Sequence, residues 1–426
     1  MDRGIDLGLE RIHRLLAAVG DPHKRLKVVH VAGTNGKGSV CAYIASVLQH
    51  HGLRVGRFNS PHLLEPRDSI QIDGEPVDQS KFEHACAYIK EMNAQHLLDA
   101  TMFECLVASA LWLLDQARVD VAVIEVGLGG DEDATNVFEQ PLMTIITAIG
   151  WDHAGMLGGS ILSIARAKAG IMKEGCPVVI APQDDEPQAL KLLVRQAEDL
   201  GAPCVVAKAA TASKGGLCLD QQVDEDRHIQ YDYTIGLHGD YQRANSATAV
   251  VALDWLSRRG TFRLDREQFQ QGMAQTRWPG RLDWVAHRSL DPLPEILVDG
   301  AHNPPATRAL REYIDQVTTQ RGLGRVLWII GATAGKDVNS ILSHLLRPTD
   351  IVFSVPFSQP AGMSWIQSIP TQEIADQAKT MAAQAQACST LTNALKNAGA
   401  MYRPDQDLVV LCGSLYLVAD LYRLLR

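Results

Sequence analysis

Strand-length apolar runs alternate with longer helix-patterned stretches through the first half of the 426-residue chain. The runs stand at residues 28–32, 55–58, 121–126, 143–148 and 178–181. The helix-patterned stretches stand at 40–50, 81–92, 102–116, 161–172 and 187–200. Runs apolar at consecutive positions suit strands covered on both faces, and strand–helix alternation suits a mainly parallel sheet with crossover helices. Residues 205–235 are polar and Gly-rich, which predicts small strands or loops at the edge of this domain. A second α/β alternation begins near residue 295, with strands at 295–298, 326–330, 351–355 and 408–411 and helices at 306–317, 341–346 and 372–386. The Ala-rich stretch 374–388 reads as helix on propensity. Residues 286–294 carry two prolines among polar residues and are the expected hinge between a domain at 1–285 and a smaller one at 295–426.

Composition narrows the function classes. Apolar residues make up 46% and charged residues 21%, as in a globular protein. The net charge of −9 is spread along the chain without a basic block, which argues against nucleic acid or a membrane surface as the main partner. The N-terminus lacks the apolar core of a signal peptide, and no stretch approaches the roughly 18 apolar residues of a membrane span. Eight scattered cysteines include no C-x-x-C pair, so reduced thiols and a cytoplasmic compartment are expected. An acidic substrate would need a local positive site.

The segment after the first strand supplies one. Gly33, Thr34, Asn35, Gly36, Lys37, Gly38 and Ser39 form a glycine-rich turn between the strand at 28–32 and the helix at 40–50. Strand, Gly-Lys turn and helix in that order build a phosphate cradle, because glycines let backbone N–H groups approach phosphate oxygens and the helix N-terminus is electropositive. Lys37 would neutralise the outer phosphates of a nucleoside triphosphate. The strict G-x-x-x-x-G-K-[ST] pattern is not met, since Lys37 precedes Gly38; the turn is a variant phosphate loop.

Further candidates lie at strand ends, where α/β sheets place their ligands. Ser60 follows the second strand, in a Ser-Pro pair that is also a common turn. Glu125 closes an apolar run, a costly place for a carboxylate unless it is paired or holds a cation such as Mg²⁺. Asp152-His153 follow the strand at 143–148, where His153 could also be a structural hydrogen-bonder. Lys168 stands among alanines, and on composition alone it would extend to solvent. Arg281 could reach a transferred phosphoryl group. Asp299, at the end of the strand at 295–298, could accept from a ribose hydroxyl or cap the helix that follows Asn303.

Taken in order, the motifs at 8–12, 33–39, 60–63, 125–130, 133–136, 152–153, 168–171, 239–245, 278–281, 299–303 and 412–416 resemble those of the folylpolyglutamate synthase/dihydrofolate synthase family of Mur-type amide ligases. Residues 362–366 look more like fungal dihydrofolate synthases than the polyglutamylating branch. The resemblance implies a P-loop ATPase-type, mainly parallel α/β domain followed by a smaller Rossmann-like α/β domain. It implies ATP on Gly33–Ser39 with Asn245, Arg281 and Asp299 as further contacts, and a first Mg²⁺ on Ser60, Glu125 and His153. Lys168 would be carbamylated and bind a second Mg²⁺, while Thr101, Phe103, Glu104 and Asp133 would contact the pterin substrate. His302 would help position reactants. The implied reaction joins L-glutamate to 7,8-dihydropteroate through an acyl phosphate, with a monomer acting alone. Tetrahydrofolate as acceptor, both activities in one enzyme, another carboxylate substrate and a nucleotide-binding homologue without catalysis are the rival readings.

Three positions depart from the family pattern. Gly130-Asp131-Glu132-Asp133 stands where Gly-Arg-Leu-Asp is usual, exchanging a positive charge for negative ones near an expected anionic substrate. Gly150-Trp151 replaces Ser-Leu before Asp152, and Tyr241 replaces a frequent His.

Overall fold

The computed structural model describes residues 6–152, 155–224, 226–360, 366–382 and 384–426. His153, and residues 362–365 of the fungal-like segment, lie outside the described residues. The chain forms two compact units. The first runs to His62 and takes in Arg67–Gly236 and Tyr241–Arg277; the second takes in Leu63–Pro66, Leu237–Asp240 and Trp278–Arg426.

In the first unit α1 (Glu10–Ala18), β1 (Val28–Ala32), α2 (Lys37–His50) and β2 (Val55–Phe58) are followed by β3 (Ile70–Ile72), β4 (Glu75–Pro76), α3 (Gln79–Gln95) and α4 (Met102–Gln116). Next come β5 (Val121–Glu125), β6 (Met143–Ile146), α5 (Ile161–Ala169), β7 (Val178–Ile180), α6 (Pro187–Asp199) and β8 (Cys204–Val206). The eight strands lie in the order β4-β3-β2-β5-β1-β6-β7-β8. Only the β2–β3 and β3–β4 pairings are antiparallel. Every residue of β1, β5 and β6 is buried, which explains their unbroken apolar runs. Ile12, Leu15, Ile89 and Leu111 of α1, α3 and α4 share one core cluster with Val28, Phe58 and Ile124. Ile164 and Leu193 of α5 and α6 share another with Ile146 and Ile180.

The polar stretch after β8 becomes a small antiparallel sheet of β9 (Thr211–Ser213), β10 (Gly216–Asp224) and β11 (Arg227–Tyr233), as expected for 205–235. Two further helices, α7 (Gln242–Arg258) and α8 (Arg266–Gln275), complete the unit.

The second unit is a six-stranded α/β sheet in the order β12-β13-β17-β14-β15-β16. Its elements are β12 (Asp283–Val285), β13 (Ile296–Val298), α9 (Pro304–Arg321), β14 (Arg325–Ile330), α10 (Val338–Leu345) and β15 (Ile351–Ser354). They continue through α11 (Thr371–Ala378), β16 (Gln384–Ala387), α12 (Leu391–Met401), β17 (Asp407–Cys412) and α13 (Leu415–Leu425). β12 pairs antiparallel with β13, and the other pairings are parallel.

Two expectations need correction. The stretch 286–294 is not where the compact units divide: it connects β12 to its sheet neighbour β13, and Leu290 and Leu293 are buried in the second core. The division falls between Arg277 and Trp278. The helix expected over 372–386 ends at Ala378, and Gln384–Ala387 is an edge strand in register with β15, Ile351 facing Gln384. Alanine favours helix locally, but the unpaired edge of β15 offers these residues a ladder of hydrogen bonds. Their alternating exposure follows the Gln-Ala-Gln-Ala sequence. Among the described residues no helix is long and apolar enough to cross a membrane.

Candidate active site

In the first unit the C-terminal ends of β1, β5 and β6 lie side by side, with Val31 in register with Glu125 and Ala32 with Ile146. The loop after β1 turns here into α2. At Gly33 a Cβ would come 1.8 Å from Thr147 Oγ1, so any side chain would collide with the strand end next door. Gly36 has φ +94° and begins α2 from the left-handed region, where a Cβ would lie 2.3 Å from Asn245 Oδ1. The turn is pinned from the β6 side. The Thr34 and Asn35 N–H groups donate to Ala148 O at 2.9 and 3.1 Å, and Thr34 Oγ1 donates to Gly150 O at 3.1 Å. From α7, Gln242 Nε2 donates to Ser39 Oγ and Asn245 Nδ2 to Gln242 Oε1, both at 3.3 Å. Asn245, expected near the nucleotide, therefore packs on Gly36 and braces the turn.

Two lysines converge on one carbonyl of this loop. Lys37 Nζ donates to Gly33 O and Thr34 O, each at 3.1 Å, and lies 3.9 Å from Glu125 Oε1. Lys168 Nζ, from α5, donates to Gly33 O at 2.8 Å. Lys168 is 6% exposed; it does not reach for solvent as its alanine-rich surroundings suggested. Burial, reinforced by the charge of Lys37, pushes its pKa from 10.5 down to about 7, against the pull of Asp152, Asp133 and Glu125. Glu125 is buried, and its Oε2 accepts from Asn59 Nδ2 at 2.6 Å. Asn59 immediately precedes half-buried Ser60.

The loop after β5 is organised by Asp133. Its Oδ2 accepts from Leu128 N at 2.8 Å, and its Oδ1 accepts from Thr135 N at 3.0 Å and Thr135 Oγ1 at 2.5 Å. Thr135 Oγ1 gives its proton to that carboxylate, so it accepts from His30 Nε2 at 2.9 Å. His30 is fully buried in β1, and desolvation lowers its pKa to about 3, leaving it neutral. Burial raises the Asp133 pKa, and these hydrogen bonds oppose the shift. Thr101 and Glu104 form a reciprocal cap on α4: Glu104 N donates to Thr101 Oγ1 at 3.2 Å and Thr101 N to Glu104 Oε2 at 2.7 Å. Arg11 Nε also donates to Glu104 Oε2, at 3.0 Å. Phe103 packs where a Cβ on Gly127 would stand, 2.4 Å from its ring. Asp131 and Glu132 are exposed, while the Asp131 backbone N–H is fixed to Ala167 O at 2.8 Å.

This corner suits a triphosphate with its cation. Mg²⁺ binds through one or two carboxylates plus phosphate oxygens and waters, and does not need a cage made only of protein ligands. The Glu125 carboxylate and the Ser60 hydroxyl are hard oxygen donors of that kind. Among the described residues no cluster of three or more His, Cys, Asp or Glu makes a protein-only metal site.

In the second unit Asp299 stands at the end of β13. Its Oδ2 accepts from Leu282 N at 2.8 Å and its Oδ1 from Ala301 N at 2.7 Å. Burial raises its pKa, and Arg281 pulls it back down. Arg281 lies over Gly300, where a Cβ would come 2.3 Å from Nη1. His302 Nδ1 is 2.8 Å from Gly300 O; a carbonyl only accepts, so Nδ1 carries the proton. Of the two readings of Asp299, capping is excluded: Asn303 caps α9, its Oδ1 accepting from Ala306 N at 3.0 Å.

Asn59, Gln242 and Thr135 carry contacts in the first unit that the sequence reading did not assign. Only Asn59 had a usable signal, a polar residue closing an apolar strand.

Residues 31–253 match the model of the Mur ligase middle domain, and residues 286–424 match that of the dihydrofolate synthetase C-terminal domain. A Schizosaccharomyces pombe protein named probable dihydrofolate synthetase is 37% identical over 424 residues, 99% of each chain. The structure of Escherichia coli FolC in complex with DHPP and ADP is similar with a TM-score of 0.82 and 27% identity, covering 100% of this chain and 94% of that one. A bifunctional folylpolyglutamate synthase/dihydrofolate synthase with Mn, AMPPNP and L-glutamate bound gives a TM-score of 0.82 and 30% identity, covering 99% of this chain and 95% of that one. The chain belongs to the Mur ligase family and, within it, to the dihydrofolate synthase/folylpolyglutamate synthase group.

Proposed function

We propose that the chain is an ATP-dependent ligase that joins L-glutamate to 7,8-dihydropteroate and so makes dihydrofolate. The observation that carries this reading is the corner where Lys37 and Lys168 meet on Gly33 O beside buried Glu125. The fungal relative and the dihydrofolate synthetase C-terminal domain favour dihydropteroate as acceptor.

A carboxylate is a poor acyl donor. Transfer of the γ-phosphoryl group of ATP to the dihydropteroate carboxylate makes an acyl phosphate, which the glutamate amine attacks with loss of phosphate. Residues Gly33–Ser39 hold the triphosphate through backbone N–H groups at the start of α2. Lys37 leaves the Gly33 and Thr34 carbonyls for phosphate oxygens, and the family resemblance implies Arg281 and Asp299 as further nucleotide contacts. His302, with Nε2 as its unprotonated ring nitrogen when neutral, positions a reactant. Ser60, Glu125 and His153 would hold Mg²⁺, which when bound would supply charge stabilisation to the phosphoryl group. Thr101, Phe103, Glu104 and Asp133 shape the pterin end, with Glu104 and Asp133 acting through the segments they brace.

A pKa of about 7 leaves much of Lys168 as free amine at neutral pH, which supports its carbamylation: the amine adds to carbon dioxide and releases a proton. The resulting anion is suited to a second Mg²⁺. Eight free cysteines support a reducing, cytoplasmic setting, and we take the working form to be a monomer.

Tetrahydrofolate is the second acceptor to consider, because a structural neighbour is named as bifunctional. ADP release with Mg²⁺, ATP and L-glutamate, with dihydropteroate or tetrahydrofolate supplied separately, decides between them. Turnover with dihydropteroate alone is the expected result. Turnover only with tetrahydrofolate moves the chain to the polyglutamylating branch, and silence with both overturns both acceptors in favour of another carboxylate substrate or a nucleotide-binding homologue without catalysis.

A further inference from the structure

Asn59 is the first residue beyond β2 and is 6% exposed. Its backbone N–H donates to Ser69 O at 2.9 Å, which fixes its main chain at the sheet. Its side chain crosses to the neighbouring strand, where Nδ2 donates to Glu125 Oε2 at 2.6 Å. A carboxylate only accepts, so the NH₂ end of the amide must face Glu125. Asn59 is thus held by its main chain while its side chain grips one oxygen of Glu125. The two carboxylate oxygens are thereby made unequal. Oε2 is tied to Asn59, and Oε1 is the oxygen nearer Lys37 Nζ, at 3.9 Å.

We propose that Asn59 is a positioning residue that sets the plane of the Glu125 carboxylate and presents Oε1 to the divalent cation of the nucleotide. This rests on the reading of Glu125 as a ligand of that cation. A ligating carboxylate with no partner rotates and spreads over several orientations; a hydrogen bond on its outer oxygen selects one. Removing such a partner typically weakens metal binding about 10–100-fold.

The test measures Mn²⁺ binding by electron paramagnetic resonance in the presence of AMPPNP, without turnover. Wild type is compared with Asn59→Leu, Glu125→Ala and the double variant. Asn59→Leu is expected to weaken Mn²⁺ about tenfold or more, with AMPPNP affinity in excess EDTA unchanged. In the Glu125→Ala background the same substitution is expected to do nothing further. Unchanged Mn²⁺ affinity in a folded Asn59→Leu protein overturns the proposal, and so do effects of the two substitutions that multiply in full. Asn59→Ala, which introduces no bulk, takes its place if the leucine variant does not fold. If Glu125→Ala itself leaves Mn²⁺ binding intact, the reading of Glu125 as a cation ligand is what fails.

Discussion

Lys168 is a stability liability built into the site, and replacing it shows by how much. Holding its pKa from 10.5 down to about 7 costs the charged form about 5 kcal/mol, and about 4 kcal/mol of that bears on folding at pH 7. The sign follows from proton counting. Between pH 7 and 10.5 the unfolded chain keeps a proton on this amine that the folded chain has released, so wild-type stability rises with pH across that window. Lys168→Met removes the titration and keeps an unbranched side chain in the buried site. It loses the 2.8 Å hydrogen bond to Gly33 O, which offsets about 1–2 kcal/mol. The variant is therefore expected to be about 2–3 kcal/mol more stable than wild type at pH 7, with ligase activity abolished. By pH 10 the penalty has shrunk to about 1 kcal/mol, and the lost hydrogen bond cancels the advantage. Urea unfolding of both proteins at the two pH values, in buffer free of carbon dioxide, reads the difference. An equal stability gap at pH 7 and pH 10 refutes the reasoning.

Gly36→Ala should cut ATP turnover more than tenfold and weaken nucleotide binding, because the new Cβ meets Asn245 Oδ1 at 2.3 Å in a left-handed backbone that costs about 1–3 kcal/mol; calorimetry with ADP checks it. His30 stays neutral in the fold down to about pH 3 while the unfolded chain protonates it below 6.5, so its contribution to stability falls as pH drops through that range. Near pH 5 the loss is about 2 kcal/mol, and His30→Gln should remove that part of the acid sensitivity in denaturant titrations. Asp131→Arg should change stability by no more than about 0.5 kcal/mol, since the side chain is exposed. The same change should lower the KM for the anionic pteroate if charge at this rim matters, and an unchanged KM dismisses that role.

What the sequence revealed was mostly local. The glycine turn with Lys37 was legible because strand, turn and helix are contiguous, and β1, β5 and β6 because burial on both faces leaves unbroken apolar runs. β16 was hidden by alanine, whose helix preference is intrinsic whereas the pull of the β15 edge comes from residues 33 positions away, Gln384 opposite Ile351. The 286–294 segment looked like a linker because prolines mark breaks, yet Leu290 and Leu293 anchor it in a core. Lys168 reads as an ordinary helix lysine until α5 packs it against Gly33, 135 residues earlier. Asn59 shows in the sequence only as a polar residue closing an apolar strand, and its contact is not legible there because its partner Glu125 is 66 residues on. Roles set by long-range contacts leave no local trace.

Formation of the acyl phosphate is the step on which the ligase chemistry turns. Dihydropteroate carrying oxygen-18 at both carboxylate oxygens, incubated with the protein, Mg²⁺, ATP and L-glutamate, should send one labelled oxygen into the released phosphate and keep the other in the new amide. Phosphate free of label alongside dihydrofolate formation would contradict the mechanism, and label-free phosphate without product would contradict the function.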